Sequence, residues 1–231
     1  MSKDSHISQF DPGDSIIIFD FDGTMVETEQ QVVSIINSFR SPLGFKPLTL
    51  EMFRNKFPGK KFLEIQVIRL VSPLLLRIIQ RKQAKNIKHV RMEPGLLSVM
   101  HTLKARGYHL GIISSNSREN VLSYLQAHGL LSLFQFVEVT NNLYGKGELI
   151  IKILKKHSYS TNRAVYVGDE VRDVAAAKQA GVQAIAVTWG YQSKKIFEIC
   201  DPDYLVDTPQ EFLRLFVKVP WWKRLFMLKW L

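Results

Sequence analysis

One cysteine, Cys200, is all the thiol chemistry that the 231-residue chain offers. An internal disulfide is therefore excluded, and a zinc site built on cysteines has no ligands to draw on. Such sparing use of cysteine fits a reducing compartment. Long apolar runs are lacking too. The densest, VSPLLLRII at Val71–Ile79, is broken by Pro73 and Arg77 and falls short of the roughly 20 residues that a bilayer span needs. The opening stretch MSKDSHISQFDPGDS has no basic segment leading into an apolar one, so a secretion signal is not expected and a cytoplasmic location is. The six histidines show no ligand spacing, and His109 reads as a packed strand residue. Internal repeats and low-complexity tracts are missing as well.

Acidic residues are scarce in two places. Between Arg54 and Arg91 there are 11 Lys/Arg against the single Glu64, and from Lys218 to Leu231 four cations stand with no acid. These two segments carry more than the whole net charge of +10, so the remainder is mildly acidic. The stretch RIIQRKQAKNIKH (Arg77–His89) contains no aromatic residue on which a base could stack, so nucleic acid is not an expected partner. A solvated helix face, or electrostatic steering of anionic substrates, accounts for it better.

What is present is a rhythm. EPGLLSVMHTLKARG has Pro94 at an expected helix start and Gly107 just past its end, and the strand YHLGIIS follows. SNSRENVLSYLQAHG opens with Asn116 and Glu119 at capping-box spacing and stops at Gly129. EVRDVAAAKQAG reads as a helix ending at Gly181, ahead of the strand VQAIAVT; RAVYVGD and DYLV add two more apolar runs. Alternation of this kind predicts an α/β fold, a doubly wound parallel sheet with helices on both faces. Residues 28–90 break the rhythm with helical periodicity and no clear strand. They are expected to form a small helical cap inserted after the first strand, over the carboxyl end of a core made of 1–27 and 91–217.

The polar residues collect at the ends of the apolar runs: Asp20 and Asp22, Ser114 and Ser115, Asp169 and Glu170, Thr188. In open parallel sheets that edge is where ligands sit. The stretch IIIFDFDGT poses the question most sharply, because it ends a buried strand on two carboxylates. Together with Asp169 and Asp173 they would repel one another unless a hard cation intervenes, and carboxylate oxygens suit Mg2+. Mg2+ in turn suggests a phosphate, with Lys146 in YGKGE facing it from a loop, and with Ser114 and the amides near Gly23–Thr24 and Ser115–Asn116 as donors.

These same segments, DFDGT (Asp20–Thr24), IISSN (Ile112–Asn116), Lys146 and VGDEVRD (Val167–Asp173), resemble in order and spacing the four motifs of the haloacid dehalogenase superfamily. The insertion point resembles that of its helical-cap class, to which phosphoglycolate phosphatases and β-phosphoglucomutases belong. The resemblance implies a Rossmann-like core and a Mg2+-dependent phosphomonoester hydrolase acting on a small phosphorylated metabolite, with phosphoglycolate as the family's leading substrate. Asp20 would be the nucleophile that forms an aspartyl-phosphate, and Asp22 the general acid and then base. Thr24, Ser114, Ser115, Asn116 and Lys146 would hold the phosphate. Asp20, the Asp22 backbone carbonyl and Asp169, with Asp173 in support, would hold Mg2+. Two features depart from the common pattern or leave it open. Lys146 precedes Gly147 rather than proline, which suggests a more mobile loop. Either Ser114 or Ser115 can supply the motif hydroxyl, with Ser114 favoured as the first residue after the apolar run.

Two other readings compete. A sugar-phosphate mutase would share the first step, and a non-catalytic binding or membrane-associated protein would share only the fold. The tail KVPWWKRLFMLKWL (218–231), rich in tryptophan and cations, carries the last idea, either as a peripheral membrane contact or as a self-association segment.

Overall fold

The computed structural model describes residues 10–55, 74–142, 144–198 and 200–217. The tail 218–231 and residues 56–73 of the expected cap lie outside the described residues, and the membrane and self-association expectations placed on the tail lie there too. Among the described residues no helix is long and apolar enough to cross a membrane.

Six parallel strands form one sheet: β1 (Ile16–Phe19), β2 (His109–Ser114), β3 (Phe136–Val139), β4 (Ala164–Gly168), β5 (Gln183–Val187) and β6 (Tyr204–Val206). Their spatial order is β3-β2-β1-β4-β5-β6. The central strand β1 pairs with β2 on one side, Phe19 opposite Ile112, and with β4 on the other, Phe19 opposite Val167. Strands buried on both faces read as unbroken apolar runs, as IIIF does. Their side chains still alternate. Ile17, Phe19, Leu110, Ile112, Val165 and Val167 feed one core layer, and Ile16, Ile18, Ile113, Ala164 and Tyr166 feed the other. This is the Rossmann-like α/β architecture that the rhythm of the sequence predicts.

The helices are α1 (Glu29–Arg40), α2 (Leu50–Arg54), α3 (described over 74–84), α4 (Leu96–Ala105), α5 (Arg118–Ala127), α6 (Lys146–Lys156), α7 (Val171–Ala180), α8 (Lys194–Phe197) and α9 (Pro209–Phe216). Helices α1, α2 and α3 lie between β1 and α4 in the chain. The two chain segments bounding this insertion run together: Val26 bridges Met92, Glu27 N–H donates to the Arg91 carbonyl at 2.9 Å, and Glu93 N–H to the Met25 carbonyl at 3.0 Å.

Three local expectations are corrected. Helix α4 begins after Gly95, whose φ of +85° makes it the N-cap, so Pro94 sits one residue outside. Helix α5 is capped by Ser117, whose Oγ accepts from Asn120 N–H at 3.2 Å; Asn116 is unavailable because its side chain turns toward Asp22. Lys146 lies not in a loop but at the first position of α6, with Gly145 as N-cap. Gly147 is there for close packing. A Cβ at that position would stand 2.2 Å from Gln179 Oε1 and 3.1 Å from Gln179 Cβ on α7.

Candidate active site

Because β1 is flanked by β2 and β4, the three strand ends that carry the polar clusters are neighbours. Asp20 follows β1 directly, and its N–H donates to the Val167 carbonyl of β4 at 2.8 Å. The alternation that sends Ile16 and Ile18 to one face sends Asp20 the same way, toward α6 and α7. There Lys146 Nζ lies 2.6 Å from Asp20 Oδ2 and 2.7 Å from Asp173 Oδ1. Lys146 is 1% exposed and Asp20 2%, so this ion-paired triad is shut off from water.

Asp169, fully buried, follows β4. Its Oδ1 accepts from Thr24 Oγ1 at 2.7 Å and its Oδ2 from Tyr191 N–H at 2.7 Å. Two glycines make room for it: a Cβ at Gly23 would fall 2.2 Å, and one at Gly190 2.4 Å, from Asp169 Oδ2. Asp173 sits in the first turn of α7, closing a capping box with Glu170 and lying against Gly168, where a Cβ would be 2.4 Å from its own. Asp173 thus stabilises the helix terminus and joins the acidic group.

Asp20, Asp169 and Asp173 each bring a carboxylate oxygen to within 4.8 Å of the others. The electrostatics reflect the crowding. Burial raises the Asp20 carboxyl to about 7, with Lys146 pulling against it, and burial plus the charges of Glu170, Asp173 and Asp20 holds Asp169 well above the usual carboxylate range. Burial alone would pull the Lys146 ammonium down, but Asp173 and Asp20 carry it above its ordinary value. Four acids, counting Glu170, thus meet two cations, Lys146 and Arg172. An all-oxygen donor set with this surplus of negative charge fits a hard divalent ion, which makes the cluster a candidate metal site.

Asp22 stands apart from that cluster. It is partly exposed, and its carboxylate accepts from Asn116 Nδ2 at 2.9 Å and from Gln83 Nε2 of α3 at 3.2 Å. Burial of the carboxyl group raises its pKa, and the hydrogen bonds work in the opposite direction. A turn built on Gly23, at φ +74°, carries the chain from Asp22 to Thr24.

Several expected phosphate ligands are otherwise engaged. The Thr24 hydroxyl is committed to Asp169, and the Asn116 side chain to Asp22. The Asn116 N–H donates to Ser114 Oγ at 3.0 Å. Ser114 is the residue after Ile113 on β2, so alternation turns it away from the face that Asp20 occupies, whereas Ser115 Oγ lies 3.4 Å from Arg172 Nη1 on that face. Thr188 is not brought into the site; its hydroxyl donates to Asp207 at 2.8 Å.

Four contributors were not foreseen. Arg172, paired with Glu170 at 2.7 Å through Nε, stood inside VGDEVRD; Trp189 and Tyr191 stood in the polar-aromatic loop after β5. Trp189 Nε1 donates to the Thr24 carbonyl at 3.0 Å, and Tyr191 Oη shares a 2.8 Å hydrogen bond with Thr28. Gln83, on α3, has no local signal in the sequence.

A family described as haloacid dehalogenase-like hydrolases matches residues 17–187. The phosphoglycolate phosphatase of Synechococcus elongatus is 34% identical over 204 residues, 86% of this chain and 95% of its own length. The phosphoglycolate phosphatase of Agrobacterium fabrum is 26% identical over 225 residues, covering 90% and 96%. Among solved structures, a haloacid dehalogenase-like family hydrolase from Streptococcus pneumoniae superposes with a TM-score of 0.70 at 19% identity, covering 90% of this chain and 98% of that one.

Proposed function

The chain belongs to the haloacid dehalogenase-like hydrolase family, and from that premise we propose that it is a Mg2+-dependent phosphatase acting on a small phosphomonoester through Asp20. The observation that carries this reading is the buried arrangement of Asp20 against Lys146 at 2.6 Å, with Asp169 and Asp173 within metal-sharing distance.

In the first step an Asp20 carboxylate oxygen attacks phosphorus and the ester P–O bond breaks, leaving an aspartyl-phosphate; Asp22 gives its proton to the departing alkoxide. In the second, Asp22 takes a proton from water as that water attacks phosphorus, which releases phosphate and restores Asp20. Lys146 offsets the charge on Asp20 and on the phosphoryl oxygens, and the Ser115 hydroxyl donates to those oxygens. Asp20, Asp169 and Asp173, with the Asp22 backbone carbonyl, would hold Mg2+. When bound, the ion supplies the positive charge that lets a phosphate dianion approach three buried carboxylates. Thr24 and Tyr191 orient Asp169 for that task.

Phosphoglycolate is the proposed substrate, supported by the names of the two relatives above. The test is hydrolysis of a phosphometabolite panel that includes phosphoglycolate, with and without Mg2+, by the wild type and by Asp20→Asn. Mg2+-dependent release of phosphate, lost by at least about 10^3-fold in Asp20→Asn, is expected. Activity that survives the substitution would refute the assignment.

A further inference from the structure

The Asp22 carboxylate meets the Thr28 hydroxyl of its own loop, and side chains from two other parts of the chain hold it as well. Its two oxygens are taken by two amide side chains, Asn116 Nδ2 from the turn after β2 and Gln83 Nε2 from α3 of the cap. These amides also meet each other, Asn116 Nδ2 standing 3.4 Å from Gln83 Oε1. A second pair anchors the arrangement. Asn120 Nδ2 on α5 reaches both Asn116 Oδ1 and the Gln80 carbonyl at 2.9 Å, and Gln80 Nε2 donates to the Ser115 carbonyl at 2.7 Å. All four amides are at most 5% exposed. Side chains that are long, polar and flexible are rarely buried in such a group, because each must satisfy several donors and acceptors at once. A plain docking contact between helices would be made with apolar side chains. The amides instead form a continuous chain of hydrogen bonds that ends on one carboxylate.

We propose that Gln83 is a positioning residue for Asp22: the seated cap helix, through Gln83 and Asn116, fixes the direction in which the Asp22 carboxyl group faces the leaving oxygen. This rests on the reading of Asp22 as general acid. With one of its clasps removed, the carboxyl group on its partly exposed loop samples more rotamers, and misplacement of a catalytic group by an ångström is enough to slow the step it serves. Gln80 anchors the same helix but does not touch Asp22, which makes it the matched control.

The experiment compares kcat/KM for two esters. Phosphoglycolate leaves as an alkoxide and needs a proton, whereas 4-nitrophenyl phosphate leaves as a stable phenolate and needs none. Because kcat/KM reports events up to formation of the aspartyl-phosphate, the later base role of Asp22 does not enter it. Gln83→Met keeps the length and packing of the side chain and removes its donor. The expected result is a loss of at least about tenfold on phosphoglycolate with less than about threefold on 4-nitrophenyl phosphate, while Gln80→Met changes both esters by the same factor. Asp22→Asn separates the two ideas. If Asp22→Asn discriminates between the esters and Gln83→Met does not, the positioning role is overturned and the acid assignment stands. If neither discriminates, both fall. Parallel behaviour of Gln83→Met and Gln80→Met would likewise reduce Gln83 to a cap-docking contact and overturn the proposal.

Discussion

At the scale of single residues, the chemistry turns on which side of the sheet a side chain leaves. Asp20 and Ser115 share a face with Lys146 and Arg172, and Ser114 does not. Two adjacent hydroxyls should therefore behave differently. Ser115→Ala is expected to lower kcat/KM about tenfold or more by removing a donor to the transferring phosphoryl group. Ser114→Ala should cost about 1 kcal/mol of stability through the lost Asn116 N–H contact and less than threefold in kcat/KM. Steady-state kinetics and urea unfolding of the pair distinguish them, and a reversed ranking would return the motif role to Ser114. The sequence made the acids and the lysine legible because burying so many charges demands a shared purpose. Strand parity at Ser114 was not legible, since the last residue of β2 cannot be located from an apolar run that passes straight into two serines. Gln83 was hidden for a different reason: its partner lies 61 positions away, and only the docking of α3 brings them together.

Among the secondary elements, the junction where the inserted segment leaves and rejoins the sheet domain carries its own electrostatic signature. Glu93, just after the Val26–Met92 bridge, is half-buried and faces Glu27 and Glu29, with Arg54 and Arg91 in partial compensation. Burial and the two like charges raise its carboxyl to about 7. A carboxyl whose folded pKa lies above its unfolded value binds more protons in the folded state, so stability falls as pH rises from about 4.5 toward 7. Glu93→Gln mimics the protonated form and should escape that loss. Its melting temperature should match the wild type near pH 4.5 and exceed it by about 2–3 °C at pH 8, corresponding to about 1 kcal/mol once solvent screening at this half-buried site is allowed for. A difference that does not vary with pH would contradict the assignment. The helix and strand rhythm foretold these elements well. Their starts were less legible, because Pro94, Asn116 and Gly145–Lys146–Gly147 each suit more than one local role until tertiary contacts choose. The Gln179 contact decides for Gly147, and Asp22 decides for Asn116.

For the whole molecule, the strand order β3-β2-β1-β4-β5-β6 explains why four sequence segments far apart make one site. Placing β1 between β2 and β4 gathers Asp20, Ser115 and Asp169 at one edge, and α6 and α7 bring Lys146 and Asp173 over the same face. The segment inserted between β1 and α4 reaches the site through Gln83, which donates to Asp22, and through Arg54, which pairs with Glu29 at 2.7 Å and donates to the Trp189 carbonyl at 2.9 Å. Much of this was legible, since a parallel sheet read from alternating elements already predicts a site at its carboxyl edge. The central claim is that Asp20 becomes covalently phosphorylated during turnover. The direct measurement is to quench the enzyme while it turns over phosphoglycolate with Mg2+, reduce it with borohydride, and sequence the peptides by mass spectrometry. An aspartyl-phosphate at position 20 would be read as homoserine there; full activity on the substrate with an unmodified Asp20, or with the label on another carboxylate, would contradict the account.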